Sequence, residues 1–133
     1  MMMASDSIAI LVIDDQKDFV DTMSFWLRTK GYEVKTVTNG RDGIEEIKKG
    51  GFDLVFLDFK MPEMNGLETL EKIREFNKTI PVVMVTAYAD DAIVHETKRY
   101  NIAGFFSKME KLDQLQRTLD VVLRGLRRSK SSP

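Results

Sequence analysis

Four short apolar runs in this chain each lead into a polar residue. Ile8-Ala9-Ile10-Leu11-Val12-Ile13 runs into Asp14-Asp15, and Leu54-Val55-Phe56-Leu57 into Asp58. Pro81-Val82-Val83-Met84-Val85 ends in Thr86, and Ala103-Gly104-Phe105-Phe106-Ser107 in Lys108. Their length and β-branched content predict buried strands. A fifth strand is predicted over Tyr32 to Val37, where apolar and polar residues alternate as on a sheet with one open side. The segments between have helical period. Phe19, Met23, Trp26 and Leu27 recur on one face, and the segment stops at Lys30-Gly31, a C-cap signal. Arg41 to Lys49 carries Ile44 and Ile47 and stops at Gly50-Gly51. Asn65 followed by Glu68 reads as a capping box opening a helix with Leu67, Leu70 and Ile73 on one face. A fourth helix is expected from about Asp90 to Tyr100, with Asn101 in the left-handed cap position. The last bears Leu112, Leu115, Leu119, Val122, Leu123 and Leu126 and closes on Arg127-Arg128, which suits the helix dipole.

Strand and helix therefore alternate five times, which predicts an α/β fold with a parallel five-stranded sheet between helical layers. Parallel strands bring all their carboxyl ends to one edge, where ligands bind in open α/β sheets. Asp14, Asp15, Asp58, Thr86 and Lys108 would converge there. Asp14-Asp15 and Asp58 can share one metal only if the first and third strands are neighbours. The second strand then lies outside the first, giving the order 2-1-3-4-5.

Composition narrows the picture without adding chemistry. The 133 residues, 43% hydrophobic and 31% charged, suit one soluble domain. A net charge of -1 gives the bulk surface no electrostatic reason to bind nucleic acid or membrane. The absence of cysteine excludes disulfides, thiol catalysis and cysteine-ligated metals, and His95 alone makes no histidine cluster. No apolar run reaches the roughly 18 residues of a membrane span, and the start lacks a signal-peptide pattern. A cytoplasmic protein is expected.

Taken together, Val-Ile-Asp14-Asp15, Leu-Asp58-Phe-Lys-Met-Pro-Glu-Met-Asn-Gly66, Val-Thr86-Ala87 and Phe-Phe-Ser-Lys108 resemble the receiver domain of two-component response regulators. Any one of these motifs is weak, but the four in order are specific. The resemblance implies a flavodoxin-like (βα)5 three-layer sandwich, the 2-1-3-4-5 order, and a receiver domain over residues 1–128 followed by a polar tail or linker at 129–133. It implies that Asp58 is the phosphoacceptor for a sensor histidine kinase or a histidine phosphotransfer protein. Mg²⁺ (or Mn²⁺) would be held by Asp14, Asp15, Asp58 and the Lys60 backbone carbonyl. Three clustered carboxylates repel one another, and a phosphoryl of about -1.5 to -2 charge adds to that, so cations are required. Lys108 would pair with Asp58 at rest and with the phosphoryl afterwards, and Thr86 would donate its hydroxyl to it.

Further expectations follow from the same resemblance. Thr86 and Phe105 form the switch, Phe105 passing from exposed to buried. Output leaves through the face of the fourth helix, fifth strand and fifth helix, including Val94, Lys98, Phe106, Arg117 and Asp120, with a phosphorylation-dependent homodimer as one use of it. Lys60 and Tyr88 flank the path of the hydrolytic water, so slow self-dephosphorylation is expected. No activity on an external substrate is expected. Other residues read as ordinary: Met61-Pro62 and Gly66 as loop geometry, His95 as a surface residue, and Arg124, Arg127, Arg128 and Lys130 as a solvated helix end. Lys108 is followed by Met109 where most receivers have a cis proline; a trans peptide is expected because a cis bond to a non-proline costs about 2.5–4 kcal/mol. Two other classes fit part of the pattern. A phosphohydrolase with an aspartyl-phosphate intermediate would want an acid at position 60, and a non-phosphorylated binding module would not need all five polar residues.

Overall fold

The computed structural model describes residues 7–87 and 91–131, without the side chains of 91, 93, 94 and 127–131. Five strands and five helices alternate: β1 Ala9–Ile13, α1 Lys17–Thr29, β2 Glu33–Val37, α2 Gly40–Lys49, β3 Leu54–Asp58, α3 Gly66–Phe76, β4 Val82–Thr86, α4 Asp91–Lys98, β5 Gly104–Ser107 and α5 Leu112–Ser131. All neighbouring strands are parallel, in the order β2-β1-β3-β4-β5. The order expected from metal sharing is therefore the one found, with β1 beside β3.

Alternation along the strands divides the core in two. Ile10, Val12, Leu54, Phe56, Val83, Val85 and Phe106 pack with Met23, Leu27, Leu115 and Leu119 under α1 and α5. Leu11, Ile13, Val55, Leu57, Val82 and Met84 pack with Ile44, Ile47, Leu70 and Ile73 under α2 and α3. Both faces of the sheet are dry, which is why the central strands read as unbroken apolar runs.

The helix signals are matched closely. Asn65 accepts from the Glu68 backbone N–H at 2.9 Å while Glu68 accepts from that of Asn65 at 3.2 Å, a complete capping box. Gly31 has φ 93° after α1, and Asn101 has φ 55° beyond α4. Two differences stand out. The helix α5 continues to Ser131, past the arginine pair expected to end it; a polar segment without Gly or Pro has no reason to leave the helix. Phe106 does not join the exposed output face, since it is 1% exposed within the α1–α5 core. In consecutive phenylalanines on a strand one must face each side, and here Phe106 faces inward while Phe105, packed against the α2–α3 core, is half-buried. No cis peptide occurs among the described residues, so the Lys108–Met109 bond is trans as expected.

Gly66 is where fold meets site. A Cβ there would stand 2.4 Å from the Asp58 carbonyl oxygen and 2.7 Å from the Phe59 Cα, both immobile backbone atoms. The Gly66 N–H also donates to the Phe59 carbonyl at 2.7 Å, tying the start of α3 to the end of β3. In a free helix, Gly→Ala would stabilise by about 1 kcal/mol. At Gly66 the sign reverses: Gly66→Ala is expected to cost about 1–3 kcal/mol by overpacking, read as a lower urea midpoint at unchanged slope. A midpoint equal to or above that of the wild type would contradict this reading of the contact.

Candidate functional site

Three polar residues continue the inward face of their strands beyond the apolar run. Asp14 follows Val12 by two, Asp58 follows Phe56 by two and Lys108 follows Phe106 by two, so all three lean toward the α1 side at the carboxyl edge. Strand pairing supplies the convergence: Asp58 is level with Val85 and Thr86 with Ser107. Asp14 and Asp58 are buried, each side chain 2% exposed, while Asp15 is exposed. Each of the three carboxylates offers an oxygen within 4.8 Å of the others.

One ammonium reaches into this cluster. Lys108 Nζ lies 2.9 Å from Asp14 Oδ2 and 3.4 Å from Asp58 Oδ2, with its side chain 9% exposed. It donates to Asp14 Oδ1 at 3.2 Å and to Gln16 Oε1, and sits 4.9 Å from the centre of the Phe19 ring. At rest Lys108 is thus drawn nearer to Asp14 than to Asp58, the partner expected from the sequence. Its backbone N–H donates to the Thr86 carbonyl at 2.8 Å, fixing the end of β5 to that of β4.

Charge is not balanced by this arrangement. Asp14 Oδ2 and Asp58 Oδ2 are buried and accept no aligned hydrogen bond. Burial, with the Asp14 carboxylate beside it, pushes Asp58 up to about 7 against the opposing pull of Lys108. These two buried carboxylate oxygens, ion-paired only to one shared ammonium and standing beside an exposed third carboxylate, form a hard-oxygen donor set that fits a divalent cation keeping several waters. Next to them a small cavity of about 70 Å³ is lined by Gln16, Asp58, Lys60, Thr86, Ala87 and Lys108. That is several times the ~10–15 Å³ of such space that one water needs.

Among the expected site residues, Asp14, Asp15, Asp58, Thr86 and Lys108 are brought together, and Thr86 is buried. Lys60 is exposed at the cavity mouth. Tyr88 lies outside the described residues, as do the side chains of Val94, Arg127, Arg128 and Lys130. Lys98, Arg117, Asp120, Arg124 and His95 are exposed. Sequence reasoning missed Gln16 and Phe19, whose contacts to Lys108 span more than eighty residues.

Comparison with known proteins decides the family. A profile described as "Response regulator receiver domain" matches residues 10–120. The chain belongs to the response regulator receiver domain family. It is 36% identical over 129 residues to the transcriptional regulatory protein ZraR of Klebsiella oxytoca, covering 97% of this chain but 29% of that protein. It is 33% identical over 131 residues to the sensor histidine kinase RcsC of Salmonella typhi, covering 96% of this chain and 14% of that one. The receiver thus corresponds to under a third of these longer proteins. Among solved structures, the chemotaxis protein CheY4 of Vibrio cholerae superposes with a TM-score of 0.83 at 29% identity, covering 87% of this chain and 98% of that one. The response regulator TrrA of Thermotoga maritima, solved in complex with Mg²⁺ and BeF, gives a TM-score of 0.79 at 28% identity over 86% of this chain and 98% of that one. As a receiver the chain has a role in phosphorylation signalling. No helix among its described residues is long and apolar enough to cross a membrane.

The raised Asp58 makes stability depend on pH in a definite direction. Its unfolded value is near 3.8 and its folded value about 7, so between them the folded state holds a proton that the unfolded state releases. Its contribution is full below pH 4 and is lost as pH rises through 7. Relative to Asp58→Asn, the wild type is expected to lose stability between pH 5.5 and 8 when divalent ions are absent. Urea midpoints of both proteins at the two pH values test this; an unchanging gap would contradict it.

Proposed function

We propose that this receiver takes a phosphoryl group onto Asp58 from a phosphohistidine of a sensor histidine kinase or histidine phosphotransfer protein. A carboxylate oxygen of Asp58 forms the bond to phosphorus while the phosphorus–nitrogen bond breaks, its electron pair returning to the imidazole. The observation that carries this reading is the cluster itself: Asp58 is buried between Asp14 and Lys108 and opens onto a small cavity reached by Thr86 and Lys60.

Mg²⁺ (or Mn²⁺) would be held by Asp14, Asp15, Asp58 and the backbone carbonyl of Lys60. When bound it supplies positive charge against the carboxylates and the phosphoryl oxygens. The chain's own residues then position and neutralise, which is most of what phosphoryl transfer asks of a protein. Lys108 shifts its ammonium from Asp14 toward a phosphoryl oxygen, a charge-assisted contact. Thr86 turns its hydroxyl to another. Phe105, already half-buried, completes its move inward behind Thr86 and alters the surface of α4, β5 and α5 around Lys98, Arg117 and Asp120. Driving such a switch from 1:99 to 99:1 takes about 5.5 kcal/mol of differential interaction. An ion pair, a hydroxyl contact and backbone donors together are of that order. The protein acts on no substrate but itself, and Lys60 and Tyr88 shield the aspartyl phosphate so that it decays slowly.

Incubation with acetyl phosphate and Mg²⁺, followed by intact-mass measurement, tests the reading. One phosphoryl per chain is expected, persisting for many minutes and absent in Asp58→Ala. Steady release of phosphate without a labelled protein would indicate a phosphohydrolase, and no reaction a binding module; either would overturn the proposal.

A further inference from the structure

Gln16 is the N-cap of α1, a position where Ser, Thr, Asp and Asn are preferred because their short side chains satisfy the first free N–H groups of the helix. The Gln16 side chain does not do this: it makes no cap to its own helix. It extends across the edge of the sheet, and its Oε1 accepts from Lys108 Nζ, 92 residues away in sequence. One turn on, Phe19 turns its ring toward the same ammonium at 4.9 Å, within range of a cation–π attraction. The Gln16 backbone N–H meanwhile donates to Asp14 Oδ1 at 2.9 Å, so one residue touches both ends of the Lys108–Asp14 pair.

The backbone of Lys108 is fixed by the Thr86 carbonyl, but Met109, next to it, is 79% exposed. An ammonium on four flexible methylenes, between two carboxylates at 2.9 and 3.4 Å, would otherwise be placed by those carboxylates alone. We infer that the first turn of α1, through Gln16 Oε1 and the Phe19 ring, holds the Lys108 ammonium, and that Gln16 is a positioning residue for phosphoryl acceptance at Asp58. This rests on the reading of Asp58 and Lys108 given above. Gln16 also lines the cavity beside Asp58, so its carbonyl stands where the ammonium must remain when it turns from Asp14 to an incoming phosphoryl. The hold is made by a neutral oxygen, which steadies the lysine without adding a fourth negative charge to the cluster.

Gln16→Ser and Gln16→Glu separate this role from a structural one. Serine is the better cap but cannot reach Lys108; glutamate keeps an oxygen at the same reach. The first measurement is the ¹⁵Nζ signal of Lys108 in the protein free of divalent ions. Its ammonium protons are expected to exchange with water at least ten-fold faster in Gln16→Ser and at about the wild-type rate in Gln16→Glu. The second is the rate of Asp58 phosphorylation by acetyl phosphate with Mg²⁺. It is expected to fall about three- to ten-fold in Gln16→Ser, as for one charge-assisted hydrogen bond partly replaced by water, while the melting temperature stays at or above that of the wild type. An unchanged Lys108 signal in Gln16→Ser, or a Gln16→Glu protein that exchanges as fast as Gln16→Ser, would overturn the hold. An unchanged phosphorylation rate, or a fall matched by lost stability, would overturn the positioning role. If the wild type takes no phosphoryl at all, the reading of Asp58 fails, while the Lys108 signal still decides the hold.

Discussion

The single ammonium of Lys108, shared between two buried carboxylates, is the interaction on which the rest of this site depends. Asp14 and Asp58 are buried at the edge of the sheet, where an unpaired charge is costly. One cation at 2.9 and 3.4 Å cannot satisfy both, and two of their oxygens accept no aligned hydrogen bond. The imbalance appears as the raised Asp58, whose burial and acidic neighbour outweigh the lysine. A folded protein that keeps such an imbalance gives up stability for it, and what it gains is affinity for whatever brings positive charge. On the function proposed above, a divalent ion held by these carboxylates would supply the missing positive charge, and Lys108 would then be the protein's own cation for the phosphoryl.

The scaffold holds these charges where they cannot relax apart. Parallel pairing sets the ends of β1, β3, β4 and β5 side by side, and strand alternation aims Asp14, Asp58 and Lys108 to one face. Gly66 lets α3 press directly on the Asp58 carbonyl. At the far end of α4, the buried guanidinium of Arg74 donates from Nε to the Tyr100 carbonyl at 2.7 Å and from Nη2 to that of Asn101 at 2.9 Å. It ties the exit of α4 to α3.

Much of this was legible in the sequence, for physical reasons. Strands buried on both faces leave unbroken apolar runs, and the polar residues that close those runs have to meet at the carboxyl edge of a parallel sheet. Asn65 with Glu68 and Lys30 with Gly31 mark helix ends through local chemistry, which sequence carries directly. What was not legible depends on long-range contact. The pair Phe105-Phe106 must split between two faces, but nothing local says which goes inward. Gln16 looks like an indifferent helix start, and its partner is 92 residues away. Nothing local to Arg74 signals its partners either, the carbonyls of Tyr100 and Asn101 beyond α4. The helix α5 runs past its arginine pair, which suits a helix end without requiring one.

Burial and the Asp14 carboxylate disfavour the charged form of Asp58 more than Lys108 favours it, so a bound divalent cation should restore that form. Carboxyl ¹³C NMR of Asp58, titrated without divalent ions and again with saturating Mg²⁺, tests it most directly. A midpoint near 7 is expected in the metal-free protein, with a fall into or below the ordinary aspartate range when Mg²⁺ is bound. A metal-free Asp58 that already titrates near 3.8, with no response to Mg²⁺, would contradict it.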